Sequence, residues 1–195
     1  MSLFIPMFIY AFSMGITPGP NNLIALTTGV NYGFKKALPF TFGVMVGFNM
    51  LLALVGFGIG GLIAENQTVM RVLSYIGIGF ICYIGYKIVI APTEIKKADD
   101  NNPGFFHGMA LQIINPKAWT ACIGGIAAFN IAGNTEAILL YMAISLFVVL
   151  FCVGVWAYAG SKITKFLQDQ KNHKRFNIIM GSSLILLAFY LIFAG

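Results

Sequence analysis

Two short strings hold the residues of this chain whose types and spacing could do chemistry. The first is Thr17-Pro18-Gly19-Pro20-Asn21-Asn22. Proline has no backbone N–H and its ring clashes with the carbonyl one turn earlier, so two prolines around a glycine must break or kink a helix there. The break releases carbonyls and amides, and Thr17, Asn21 and Asn22 add short polar groups able to bond that backbone and a polar solute. The second string is Asn115-Pro116-Lys117, with Pro116 lying 98 residues after Pro18. Lys117 stands 12 residues after Phe105 and 12 before Phe129, in the middle of an apolar run. An unpaired ammonium at mid-membrane costs about 2.5–3.5 kcal/mol on insertion scales, so it needs a compensating role. Its available acceptors are carbonyls freed by the breaks, Asn115, or the carboxylate of a bound solute. Gln112, Asn115 and Trp119 are spaced i, i+3 and i+7 and share one helix face if the turn around Pro116 is not badly distorted. Asn49 is a further polar group in an apolar run, two residues after a Gly43-xxx-Gly47 pair that permits close helix contact.

The elements that must position these residues follow from composition. Of 195 residues 58% are hydrophobic and 9% charged, against about 25% charged in a soluble domain. The charges are bunched: 34 residues precede Lys35, 28 separate Lys36 from Glu65, 25 separate Glu136 from Lys162, and 20 follow Arg175. A helical span needs about 20 such residues. The composition therefore excludes a soluble enzyme, a nucleic-acid binder and a disordered tail, and predicts an all-α integral membrane protein. A 19-residue window, as used for hydropathy, divides the chain into six transmembrane helices at residues 3–30, 38–64, 69–90, 105–129, 137–160 and 177–193. The first and fourth are the broken ones.

The basic residues report orientation. Lys35 and Lys36, then Lys87, Lys96 and Lys97, then Lys162, Lys165, Lys171, Lys174 and Arg175 fall on one side of a six-span chain, with Arg71 alone on the other. The positive-inside rule places the odd-numbered connections in the cytoplasm and both termini outside. Two three-span halves of odd length must insert in opposite senses, so residues 1–91 and 104–195 read as a 3+3 inverted repeat joined by a cytoplasmic linker at 92–103, in a single transporter domain covering 1–195. An interrupted apolar segment at the same place in both halves points to a midplane binding site. The expected substrate-binding set is Thr17, Pro18, Gly19, Pro20, Asn21, Asn22, Asn49, Gln112, Asn115, Pro116, Lys117 and Trp119. Lys117 doubles as the proton-coupling residue.

Thr17-Pro18-Gly19-Pro20-Asn21 near the N-terminus, with Asn115-Pro116-Lys117 opening the second half, resembles the lysine-exporter superfamily, in its homoserine/threonine-resistance branch of small bacterial amino-acid exporters. The likeness covers the whole chain. KIVIAPT at 87–93 and ALQIINPK at 110–117 are most similar to the cysteine and O-acetylserine exporter subgroup. Many relatives carry an acidic or other polar group just after the second-helix glycine pair, where this chain has Phe48. The resemblance implies efflux of a small neutral amino acid or derivative across a bacterial inner membrane, by alternating access and driven by the proton gradient.

Other classes fit less well. A channel for small polar solutes also uses broken half-helices, but the two breaks here differ in sequence and a pore lysine would be unusual. A thiol-electron carrier needs cysteines near both breaks, and the first span has none; Cys82, Cys122 and Cys152 read as small buried hydrophobes. No cluster of Asp, Glu, His or Cys could supply the nucleophile, base or ligands of an enzyme or metal site, so neither cofactor nor metal is expected. The partners are a small amino acid and the lipid bilayer, with no nucleic acid; oligomeric state is open, a homo-oligomer included.

Overall fold

The structure is a computed structural model that describes residues 3–58, 66–90, 102–167 and 169–194. Among these residues it is all-helical: α1 (Phe4–Ile16), α2 (Pro20–Tyr32), α3 (Phe34–Gly56), α4 (Gln67–Val89), α5 (Phe105–Ile114), α6 (Pro116–Ala128), α7 (Thr135–Ile163), a 3-10 turn (Thr164–Leu167) and α8 (Gln170–Ala194). By length and composition, α3 and α7 are each apolar enough to cross a bilayer. The broken first and fourth segments appear as the pairs α1/α2 and α5/α6, each second half opening on a proline that needs no donor at its first turn.

The largest departures from the expected boundaries are in α3 and α8. α3 begins at Phe34 and ends at Gly56, short of residue 64, because the chain turns at Gly58, whose φ of 94° favours glycine; residues 59–65 lie outside the described set. Gly33, with φ 83°, is the whole connection between α2 and α3. α8 starts at Gln170 rather than 177, its first turn tied by Asp169, whose carboxylate accepts from the Lys171 N–H at 3.2 Å. The basic residues that delimit a membrane span thus ride on a helix that continues past it. The expected linker at 92–103 falls outside the described residues except for Asn102 and Pro103; Asn102 donates its amide to the Lys36 carbonyl at 2.9 Å.

Glycines let the helices meet backbone to backbone. A Cβ at Gly29 would strike the Ala157 carbonyl, and one at Gly160 the Leu26 carbonyl, so α2 and α7 can close only without side chains there. Gly43 and Gly47 of α3 face the backbones of Phe105 and Met109 on α5, and Gly108 answers against Phe40. Gly85 and Gly181 join α4 to α8 in the same way. Such small-residue contacts replace the hydrophobic drive that lipid cannot supply between helices. A Gly29→Leu variant is therefore expected to lose most folded protein from the membrane fraction, since neither backbone can yield as a side chain can; wild-type recovery would contradict this packing.

Two clusters fill the interior. One gathers Met7, Leu51, Trp119, Cys122, Ile138, Tyr141 and Cys152; the other Ile24, Phe40, Val44, Ile81, Leu111 and Leu184. The outer face carries large apolar side chains such as Phe106 and Phe147, and Phe4, Phe8 and Phe12 stack along α1 with centroids 6.3 and 6.2 Å apart. Lys87 lies over the Tyr83 ring and Lys162 over the Tyr158 ring, at 5.8 and 4.9 Å, as expected of long cations snorkelling beside interfacial aromatics.

Candidate functional site

In an unbroken helix the carbonyls of residues 14 and 16 would face Pro18 and Pro20, which have no N–H, and those of 15, 17 and 18 would serve the amides of 19, 21 and 22. The structure finds other donors for most of them. Asn22 Nδ2 donates to the Gly15 and Thr17 carbonyls at 2.8 and 2.9 Å. Trp156 Nε1, 140 residues away on α7, donates to the Ile16 carbonyl at 3.1 Å. Thr17 Oγ1 donates to the Ser13 carbonyl at 2.5 Å. Lys117 Nζ donates to the Thr17 carbonyl at 2.7 Å and approaches the Pro18 carbonyl at 3.4 Å.

The last contact joins the two breaks. Lys117 sits in the first turn of α6, the wrong end of its own helix for a cation, whereas the carbonyls at the C-terminus of α1 favour one. The side chain therefore reaches across to them. Gly19 makes this possible: a Cβ there would lie 3.1 Å from both Nζ and Cδ of Lys117.

The second break is satisfied by its own residues. Asn115 caps α6, its side-chain oxygen accepting from the Lys117 N–H at 3.1 Å. That amide is diverted from the Ile113 carbonyl, and Trp119 Nε1 takes its place at 2.7 Å. Trp119 is buried in the first core cluster and is not among the cavity-lining residues. The expected shared face of Gln112, Asn115 and Trp119 does not form, because the chain breaks at Asn115 and the new helix rotates Trp119 away. A Trp119→Phe variant should fold but lose about 1–3 kcal/mol, the penalty for leaving a buried carbonyl without a donor, read as a lower unfolding temperature in detergent.

Polar amides also link the breaks. Asn21 Nδ2 donates to Gln112 Oε1 and Gln112 Nε2 donates back to Asn21 Oδ1, each at 3.0 Å, while Asn115 Nδ2 reaches Asn21 Oδ1 at 3.5 Å. Above them lies a cavity of about 50 Å³, room for about three or four waters. Gly19, Pro20, Asn21, Asn22, Gln112, Asn115 and Lys117 line it, with an apolar side formed by Met14, Phe48, Tyr141, Val149 and Val153. Of the expected site residues, Thr17 and Pro18 are exposed and do not line the cavity; their carbonyls meet the ammonium of Lys117, which does. Pro116 opens α6 but does not line the cavity. Asn49 is buried on α3, its amide donating to the Met45 carbonyl at 3.1 Å, and it too lies off the cavity.

The apolar wall escaped sequence reading because Val149 and Val153 belong to a helix apolar all round, where no period marks the inward face. Trp156 likewise carries no local signal of the carbonyl it serves. His107 accepts from the Gly104 N–H at 3.4 Å and caps α5.

Described residues that are all-helical, with a lipid-like exterior, two proline-opened half-helices and a polar cavity at their junction, have the make-up of a membrane translocator. The chain belongs to the LysE type translocator family, whose model matches residues 12–195. It is 25% identical over 179 residues to the cysteine/O-acetylserine efflux protein of Salmonella typhimurium, covering 90% of each chain. It is 24% identical over 181 residues, again 90% of each chain, to the protein of the same name in Escherichia coli strain UTI89. No solved structure matches it.

Proposed function

We propose that this protein exports a small neutral amino acid or derivative of the cysteine and O-acetylserine class across the bacterial inner membrane, by alternating access and in exchange for protons. The observation that carries the reading is the bond from Lys117 Nζ to the Thr17 carbonyl, which ties the second break to the first across 100 residues beside one cavity. Two broken helices meeting in this way are the device by which secondary transporters hold polar solutes at the bilayer midplane.

On this reading the chain is a single domain of six spans. α1/α2, α3 and α4 form one inverted repeat, and α5/α6, α7 and α8 the other. Both termini are extracytoplasmic, so α2 and α5 are the cytoplasmic halves of the broken helices. The glycine contacts of α2 with α7 and of α3 with α5 then seal the cytoplasmic side. The opposite side is closed by side chains, with Met7, Ile126 and Ile138 buried there and Tyr10 and Tyr141 each edge-on to Phe129 at 5.7 Å. A backbone-to-backbone seal on one face and a side-chain seal on the other suits a conformation within an alternating-access cycle. The proposed site comprises the Thr17 and Pro18 carbonyls with Gly19, Pro20, Asn21, Asn22, Gln112, Asn115 and Lys117; Asn49, Pro116 and Trp119 support it from outside.

Counterflow in proteoliposomes tests the proposal with L-cysteine, O-acetylserine, threonine, homoserine and leucine. Accelerated exchange of cysteine or O-acetylserine is expected, and absence of exchange with every amino acid in the panel would overturn it.

A further inference from the structure

We propose that the Thr17 and Pro18 carbonyls are the seat for the α-ammonium of the exported amino acid, and that Lys117 is a tethered competitor for that seat. This rests on the exporter reading above and assigns the roles within its site.

The geometry points to it directly. A zwitterion in this cavity needs acceptors for an ammonium, and the carbonyls at the end of α1 are already holding one: Lys117 Nζ, at 2.7 Å from Thr17 and 3.4 Å from Pro18. A substrate ammonium is the same chemical group, with the same three donors. A third acceptor lies close by. Asn22 is 3% exposed and lines the cavity, and its Oδ1 is buried with no partner among the described residues while its Nδ2 is bound to Gly15 and Thr17. Thr17 and Pro18 are exposed, so the seat is reachable.

Two ammonium groups cannot share these carbonyls, none of the described residues lining the cavity is a carboxylate able to neutralise the second, and the zwitterion's own carboxylate is assigned to the amides of Asn21, Gln112 and Asn115 rather than to Lys117. The remaining titratable groups on the surrounding helices are Tyr10 on α1, Cys122 on α6, and Tyr141 and Cys152 on α7, with Glu136, Tyr158 and Lys162 towards the ends of α7 and His107 ten residues away at the start of α5. α2 contributes only Tyr32 at its far end, and α3 only Lys35 and Lys36 at its start. Displacement is therefore linked to a proton. When the substrate ammonium takes the seat from the cytoplasm, one N–H bond of Lys117 breaks, water carries the proton into the cytoplasm, and the neutral amine withdraws along Gly19. After the zwitterion leaves on the far side, the amine takes a proton from there and the ammonium returns to the carbonyls. The cycle moves one proton inward for one zwitterion outward, and nothing is oxidised or reduced.

The test uses purified protein in weakly buffered detergent with a pH dye, and three probes: L-cysteine kept reduced, cysteamine, which keeps the amine, and 3-mercaptopropionate, which lacks it. Wild type should release about one proton per bound cysteine or cysteamine and none with 3-mercaptopropionate, as linkage between two ligands of one seat requires. Lys117→Met should bind cysteine about tenfold more tightly, release no proton, and lose uphill export. Lys117→Arg keeps a charge that hardly dissociates, so cysteine should bind about tenfold more weakly, again without proton release. Equal or weaker cysteine binding by Lys117→Met, or proton release from wild type with 3-mercaptopropionate, would overturn the assignment while leaving the exporter intact. Wild-type vesicles that exchange no amino acid would overturn both.

Discussion

Leucine in place of Gln112 is expected to abolish counterflow and to destabilise the protein, whereas the double variant Asn21→Leu/Gln112→Leu should regain stability without regaining transport. The two side chains satisfy each other through a reciprocal pair of 3.0 Å bonds, and Gln112 is fully buried. Removing one partner leaves one polar atom of the other, Asn21 Nδ2 or Gln112 Oε1, without its bond, at about 1–3 kcal/mol, while replacing both by apolar groups of similar size is close to neutral. Each single variant should therefore melt at lower temperature than wild type, and the double variant close to it. Counterflow separates structure from function, because both amides also line the cavity. Wild-type exchange by the double variant would show that the pair only holds the fold and that the substrate site lies elsewhere.

The orientation makes an all-or-none prediction. With the native cysteines replaced by alanine, a cysteine at Ala132, in the exposed connection between α6 and α7, should react fully with an impermeant maleimide on intact cells. One at Lys35, exposed at the start of α3, should react only after the membrane is opened. The basis is the ten-to-one excess of basic residues on the odd-numbered connections. The reverse pattern would invert the protein, and labelling of both sites on intact cells would remove the three-span repeat altogether.

Much of the frame was legible in the sequence, because its strongest signals act locally. Pro18, Pro20 and Pro116 each forbid a backbone bond whatever surrounds them, so the breaks could be placed to the residue. Lys117 could be marked for compensation from its isolation alone. Its acceptor could only be offered as one of several, and the structure chooses the α1 carbonyls over Asn115, whose side-chain oxygen accepts from the Lys117 backbone N–H instead. The periodic argument for Trp119 failed because it assumed the helix ran through Asn115; a break resets the phase of every later residue. The length of α8 was underestimated for another reason. Charge marks where lipid ends, and helix-forming residues such as Lys174 and Arg175 do not stop a helix there. His173, buried among them and 2.7 Å from Asn31 of α2, shows that this basic segment has an inward face as well.

The chain has two tryptophans, and each donates its indole N–H to a carbonyl flanking a different break: Trp156 to Ile16, Trp119 to Ile113. Indole emission responds to the loss or exchange of such a bond, so the protein carries an unlabelled optical probe at each of its two discontinuities. Replacing Trp119 by phenylalanine isolates the signal of the first, and replacing Trp156 isolates that of the second. The order in which the two halves rearrange during a transport cycle thereby becomes a measurable time course in the ultraviolet.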